Sequence, residues 1–260
     1  MKPNDALAKL RQDAPLVHCI TNYVAMNITA NVLLAAGASP AMIHAVEEVG
    51  DFTPIAGALS VNIGTISEPW HKAMLLAAEA ANASGKPWVL DPVAHFATPY
   101  RSKATQALVA LNPTIIRGNA SEILALAGEA GAGKGVDSGD SVDTAMEAAR
   151  HLAKAQGCVV AVTGETDFAT NGTRAFSISG GSALMPQVTA LGCSLSALVA
   201  AYAAFDEPLE ATVAALLHYA EAGAQAAKTA SGPGSFALNF LDQLAAVEPG
   251  TLDEGRLQWH

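Results

Sequence analysis

A three-layer α/β/α sandwich with a central, mainly parallel sheet is the fold the sequence predicts, as a single domain over residues 1–260. Three observations predict it. Short apolar runs without polar alternation recur along the chain, as strands covered on both faces require. Longer segments of helical period separate them, and several end on Gly, which tolerates the left-handed cap conformation. No linker-like stretch, composition break or internal repeat divides the chain, and 51% of its residues are apolar against 15% charged, which is enough for one large core.

In chain order, "PLVHCITN" (15–22) reads as the first strand and "YVAMNITANVLLAAG" (23–37) as a helix stopping on Gly37. "PAMIHA" (40–45) and "ALSVNIG" (58–64) read as strands, followed by a helix at 68–85 that ends on Gly85. "KPWVLDPV" (86–93) is a strand in which Pro92 restricts Asp91 to extended backbone. "PTIIRGN" (113–119) is the next strand, and "SEILALAG" (121–128) is the helix it feeds. A helix at 142–157 leads to the strand "CVVAVTGETD" (158–167), and 168–181 reads as a hairpin turning at Asn171-Gly172. From residue 193 the pattern changes to helices at 193–205, 209–230 and 234–247.

The formal net charge of −10, with no basic run, argues against a nucleic-acid surface, which needs clustered Lys and Arg. It leaves phosphorylated ligands open, because helix N-terminal amides hold phosphate without side-chain charge. Cys19, Cys158 and Cys193 are few, odd in number and far apart, so no disulfide framework is expected. His18 and Cys19 are strand neighbours pointing to opposite faces and do not make a metal pair. The first residues lack the apolar core of a signal peptide, and no stretch has the length of an uncharged membrane span. A cytoplasmic protein is expected.

"GEAGAGKGVDS" (128–138) nearly spells a phosphate-binding loop but has Gly135 where a magnesium-binding Ser or Thr is needed, and it follows a helix rather than a strand. The stronger signals sit at the carboxyl ends of strands, where open α/β sheets bind ligands. Asp91 ends one strand although Asp suits strands poorly. Arg117 and Asn119 end another, with Glu122 at the capping-box position. Plain capping explains Asn119 and Glu122 most simply. Two carboxylates and an Arg at neighbouring strand ends also suit magnesium and phosphate, since magnesium typically takes one or two carboxylates and keeps its waters. Thr163 and Gly164 end a further strand, either as a tight turn or as a place to admit a nucleotide.

"QVTALGCSLSALVAAYAA" (187–204) raises the sharpest question, because its helix opens on Gly192 and Cys193. First-turn amides lack internal partners and the helix dipole favours an anion beside them. Cys193 would stand next to that anion. A free Cys titrates near pH ~8.5 and lower at helix N-termini, which would leave some thiolate at neutral pH. A small buried cysteine packing like Ala fits the residues equally well.

"VHCITNYVAMNITANVLLAAGASPAMIHAVEEV", "LSVNIGT", "LDPV", "IRGNASEI", "KGVDS", "AVTGETD", "TALGC" and "GPGSF" together resemble the hydroxyethylthiazole kinases of the ribokinase-like superfamily, in order and spacing, over roughly residues 12–240. The resemblance implies ATP-dependent phosphorylation of 4-methyl-5-(2-hydroxyethyl)thiazole toward thiamine, with Mg2+, by a homotrimer whose sites lie between subunits. By motif, Arg117 and Thr163 would contact ATP, and Asp91 and Glu122 would organise magnesium and phosphate. Cys193 would sit beside the reacting hydroxyl as its catalytic residue. Met42, Asn22 and Ala190 would line the substrate pocket.

The family's T-G-x-G-C loop has Ala190 here in place of its first glycine, which is expected to be tolerated because the position needs no positive φ. Two rivals differ from this expectation. One is another ribokinase-like kinase, such as one for hydroxymethylpyrimidine. The other is a non-catalytic thiazole or nucleotide sensor, which should have lost Asp91, Glu122 or the helix-start anion site.

Overall fold

The computed structural model describes residues 1–128 and 142–260. It opens with a helix absent from the expected elements, α1 (Pro3–Asp13), whose Pro3, Ala6, Leu7 and Leu10 are buried along one face. Then come β1 (Leu16–Ile20), α2 (Met26–Ala36), β2 (Ser39–Ala41), the short α3 (Val49–Phe52) and β3 (Ala58–Asn62). Next are α4 (Glu68–Ala83), β4 (Trp88–Asp91), α5 (Pro99–Val109), β5 (Ile115–Asn119) and α6 (Ala120–Leu126). From residue 142 follow α7 (Val142–Gln156), β6 (Val159–Thr163), β7 (Thr166–Thr170) and β8 (Ala175–Ser179). The chain ends with α8 (Leu191–Ala203), α9 (Pro208–Ala227), α10 (Pro233–Ala246) and β9 (Leu257–Trp259).

The strands form one sheet in the order β2-β1-β3-β4-β5-β6-β7-β8-β9, parallel from β2 to β6 and antiparallel from β6 to β9. Alternate residues of each parallel strand feed opposite cores. Val17, Val89, Ile115 and Val159 join α1, α2, α8, α9 and α10 on one face. Leu59, Leu90, Ile116 and Val160 join α4 and α7 on the other. Burial of each such side chain contributes about 1.5–3 kcal/mol, so the sheet gains from both faces at once. The expected three-layer sandwich is therefore the fold. Among the described residues, no helix is long and apolar enough to cross a membrane.

Several boundaries differ from expectation. The strand expected at 40–45 is only the three-residue β2, an edge strand bearing Pro40, whose pairing to β1 stops at His18 and Ala41. Past it the chain leaves the sheet, and its Ile43 carbonyl meets His18 Nε2 at 2.8 Å. The strand expected at 158–167 is two strands. The chain reverses at Gly164, whose N–H donates to Asp167 Oδ1 at 3.0 Å, and β7 runs back along β6. The helix expected from residue 23 begins at Met26, because Asn22 Oδ1 accepts the N–H groups of Val24 and Ala25 and shapes a turn first. The expected hairpin is β7–β8, closed by the Thr170–Ala175 pair around Gly172 at φ 88°. The near-match to a phosphate-binding loop and the "KGVDS" motif fall on 129–138, outside the described residues, apart from Gly128.

The topology places the site. Asn62, Asp91, Asn119 and Thr163 are the last residues of β3, β4, β5 and β6. The register sets Asn62 against Asp91 and Asn119 against Thr163, so four polar residues share one rim. That rim is the carboxyl end of the parallel strands, and the N-terminus of α8 lies over it.

Candidate active site

A cavity of about 400 Å³ opens at this rim, walled by Asp91, Val93, Arg117, Asn119 and Glu122 on one side and by Thr189, Ala190, Leu191, Gly192 and Cys193 on the other. Another cavity, of about 550 Å³, lies at the opposite end of β5 and β6, beside Thr114 and Val159. Its charged residues include Arg174 and Glu210, paired at 2.6 Å. Ligands of parallel sheets bind at carboxyl ends, so the smaller cavity is the candidate.

Asp91 is 1% exposed, and its Oδ2 accepts hydrogen bonds from Asn62 Nδ2 and Ser196 Oγ, both at 2.8 Å. The Arg117 Nη1 atom stands 3.6 Å from the same oxygen. Oδ1 is buried with no hydrogen-bond partner among the described residues. Leaving such an atom unsatisfied costs about 1–3 kcal/mol, a cost that makes sense where a ligand is to be met. Burial pushes the carboxyl up to about 6, and the Glu122 charge pushes the same way, against Arg117 and the two hydrogen bonds. The hydrogen-bond chain continues outward. Asn62 Oδ1 accepts from Asn22 Nδ2 at 2.8 Å, and the same Asn22 nitrogen lies 3.5 Å from Cys193 Sγ.

Arg117 is 8% exposed, so it is not a surface ion-pair residue. Its Nη2 donates to Thr163 Oγ1 while Nη1 faces Asp91, and its Nε is buried without a partner among the described residues. The guanidinium thus lies in the cavity wall between β4 and β6, with its planar fork held in one orientation.

Helix α8 begins two residues earlier than expected, at Leu191, and Ala190 is its N-cap with φ 62° and ψ 15°. The expectation that this position needs no positive φ is therefore corrected. An alanine in the left-handed region costs about 1 kcal/mol. The helix start is nonetheless in place: Ser194 N–H closes the first turn on the Ala190 carbonyl at 3.0 Å. The amides of Leu191, Gly192 and Cys193 precede that bond and stand at the cavity, the arrangement that receives an anion.

Cys193 is partly buried beside this turn, and its thiol titrates above the ordinary range. Burial is the main cause and the Asp91 charge adds to it, outweighing Asn62, Asn22 and Arg117. The expectation of a lowered thiol pKa is thus corrected in direction: loss of solvent and a neighbouring carboxylate make the thiolate the minor form at neutral pH.

Glu122 completes the capping box. Its Oε2 accepts from Asn119 N–H at 2.8 Å, and Asn119 Oδ1 accepts from Glu122 N–H at 2.9 Å. Its Oε1 accepts the Ala94 N–H at 2.9 Å. Capping does not exhaust a carboxylate, which has about four lone-pair sites. Asp91 Oδ1 and the remaining lone pairs of Glu122 belong to one cavity wall, and this donor set fits Mg2+, which binds through one or two carboxylates and retains water.

The structure brings Asp91, Arg117, Glu122, Ala190 and Cys193 to the cavity wall. Thr163 reaches it through Arg117, and Asn22 through Cys193. Met42 is not brought there; it follows β2 and packs half-buried against the core. Asn62 and Ser196 were not expected, although both share the signal that singled out Asp91, a polar residue in an apolar element. Asn62 ends the strand next to Asp91, and Ser196 follows Cys193 by three residues, on the same face of α8.

The hydroxyethylthiazole kinase family model matches residues 7–249. The chain is 63% identical to a hydroxyethylthiazole kinase of Roseobacter denitrificans, covering 96% of this chain and 97% of that protein. It is 59% identical to one of Gemmatimonas aurantiaca, covering 100% and 94%. Among solved structures, a hydroxyethylthiazole kinase of Pyrococcus horikoshii OT3 superposes with a TM-score of 0.92 at 37% identity, over 99% of this chain and 98% of that one. A pyridoxal kinase of Staphylococcus aureus in complex with ADP, at 18% identity and a TM-score of 0.62, shares the fold over 81% of this chain and 88% of that one. The chain belongs to the hydroxyethylthiazole kinase family.

Proposed function

We propose that the chain transfers the γ-phosphoryl group of ATP to the primary hydroxyl of 4-methyl-5-(2-hydroxyethyl)thiazole, a step toward thiamine. The observation that carries this function is the convergence of the α8 N-terminus, Cys193, Arg117 and Asp91 on one cavity at the carboxyl ends of parallel strands. The free first-turn amides of α8 receive the transferring group, whose charge they stabilise without reorganising. Arg117 and Thr163 hold the nucleotide phosphates or base by their fixed fork and hydroxyl. Asp91 and Glu122 would hold Mg2+, directly or through water, which would supply charge neutralisation at the phosphates.

Asn22 lines the alcohol side, with Cys193 at the hydroxyl, and Met42 is contributed to that side by a neighbouring copy. Transfer is in line and largely dissociative, so the hydroxyl proton leaves late and a weak base suffices. Only the thiolate form of Cys193 can take that proton; the raised thiol pKa keeps this form a minor fraction at neutral pH, which a late proton transfer tolerates. Ser196 and Asn62 hold Asp91 in place, and Asn22 links Asn62 to Cys193.

The chain acts as a single domain over residues 1–260 and as a cytoplasmic homotrimer with sites between subunits. Exposed Tyr23, Val24, Leu34, Ile55 and Leu238 support an apolar contact between copies, as does the position of Met42 away from the cavity of its own chain. The test is ADP release with MgATP across a panel of the thiazole alcohol, hydroxymethylpyrimidine and pyridoxal, with the mass in solution measured alongside. Turnover on the thiazole alcohol and a mass three times that of the 26.5 kDa chain are expected. Preference for hydroxymethylpyrimidine would overturn the substrate, and a monomer would overturn the shared sites.

A further inference from the structure

Arg101, in the first turn of α5, lies outside the cavity wall, and no family motif quoted above contains it. Its guanidinium nevertheless meets the chain segments that follow two site strands. Nη1 donates to the Gly64 carbonyl at 3.0 Å and Nη2 to the Ile63 carbonyl at 2.9 Å, both just past β3. Nε donates to the Ala94 carbonyl at 3.1 Å and Nη2 also to the Val93 carbonyl, both just past β4. All these acceptors are main-chain carbonyls, and among the described residues no carboxylate forms an ion pair with it. A planar fork with five N–H donors can serve two loops at once, whereas an ammonium presents a single point.

Each clamped loop in turn holds a polar group of the site. Gly64 N–H donates to Asn62 Oδ1 at 2.9 Å, and Asn62 bridges Asp91 and Asn22. Gly64 also packs so closely on Asn22 that an added Cβ would lie 2.4 Å from its Nδ2. Ala94 N–H donates to Glu122 Oε1 at 2.9 Å, and Ala94 is held at φ 47°, a left-handed conformation that alanine adopts only under constraint. Val93, between them, is itself in the cavity wall.

We propose that Arg101 is a positioning residue that fixes the Asn22–Asn62–Asp91 side of the site against the Glu122 side, by clamping the loops after β3 and β4 to each other. It touches neither substrate nor the reacting atoms. Removing it leaves the binding surfaces in place but lets their relative placement drift, and misplacement by about 1 Å can cost 10²-fold in rate. The loss therefore falls on kcat more than on KM.

This inference rests on the kinase function proposed above, and its test separates the two. Arg101→Ala and Arg101→Lys are compared with the wild type in steady-state assays on MgATP and the thiazole alcohol, well below their melting temperatures. Arg101→Lys is expected to lose at least tenfold in kcat with either KM changed by less than about threefold, because one ammonium cannot hold both loops. In Arg101→Ala, millimolar methylguanidinium is expected to restore part of kcat, as a fold-wide defect would not allow.

Amide exchange at Gly64 and Ala94 reads the clamp without turnover, and should quicken about tenfold in Arg101→Lys while exchange in α9 stays as in the wild type. Wild-type kcat in Arg101→Lys would overturn the proposal. So would unchanged exchange at both amides, including in a chain that failed to phosphorylate the alcohol.

Discussion

A β-carbon built on Gly192 would stand 3.1 Å from Nη1 and 3.2 Å from Nη2 of Arg117. The glycine before Cys193 is thus a matter of space: it lets the Nη1–Nη2 edge of the guanidinium approach the first turn of α8. Arg117 has little freedom to withdraw, because Asp91 and Thr163 hold it from two other sides. Gly192→Ala is expected to displace the fork by a few tenths of an ångström and to lower kcat about tenfold, with folding intact. Steady-state kinetics and a thermal melt check it; unchanged kcat would show that Arg117 can give way.

Ala190 carries strain that glycine would not. With φ 62° at the α8 N-cap, Ala190→Gly is expected to stabilise the fold by about 1 kcal/mol, which raises Tm by roughly 2–3 °C in a chain of this size. Turnover is expected to be at least that of the wild type. A lower Tm in a calorimetric scan would mean that the unfolded-state entropy of glycine outweighs the relieved strain.

The pH dependence of the reaction follows from Asp91. Its folded pKa is raised by burial to about 6, so the carboxylate needed at the cavity is lost as pH falls through that value. The acid limb of kcat/KM is expected near pH 6 rather than near the usual Asp value of about 4. Ser196→Ala removes a hydrogen bond that favours the charged form, which raises the pKa further and moves the limb to higher pH. Profiles of the two proteins decide; superimposable acid limbs would remove Ser196 from the account of Asp91.

Stability has a separate titration. His218 is fully buried, with Nε2 donating to the Leu244 carbonyl at 3.1 Å and Nδ1 accepting from Tyr202 Oη at 3.0 Å. Burial lowers its pKa to about 4, below the ordinary 6.5, so the folded form keeps it neutral where the unfolded chain takes up a proton. The stability it contributes is full above pH 6.5 and is lost as pH falls toward 4, by up to about 3 kcal/mol. Urea unfolding at pH 7 and pH 5 should show a smaller drop in His218→Leu than in the wild type, although that variant starts lower. Equal drops would place the acid sensitivity elsewhere.

The sheet and the main site groups were legible because burial on both faces leaves a plain mark: Trp88, Val89, Leu90, Ile115 and Ile116 stand in unbroken apolar runs, and Leu59 and Val61 in one broken only by Ser60. Asp91 stood out as a carboxylate ending such a run, and Glu122 as a capping residue. α5 was hidden because only Ala104, Thr105 and Leu108 are buried along it, too sparse a pattern to show a helical period. The three-residue β9 gains its strand character from pairing with β8, not from its own residues. The state of Cys193 was misjudged from local sequence. A helix N-terminus lowers a thiol pKa, but the fold buries this one, the larger effect, and sets beside it Asp91 from a strand about a hundred positions away. Arg101 was illegible for the same reason, since nothing in "PYRSK" says that its carbonyl partners lie in two other loops.

The most direct test of the central claim is ADP release with MgATP and the thiazole alcohol, with Cys193→Ala, Cys193→Asp and a blank lacking the alcohol run in parallel. Release that requires the alcohol, falls about 10²-fold in Cys193→Ala and persists in Cys193→Asp is the expected result, because a carboxylate can take the late proton in place of the thiolate. Release indifferent to Cys193→Ala would leave the α8 site without its base. No release while the alcohol still binds would contradict the account and favour a thiazole sensor.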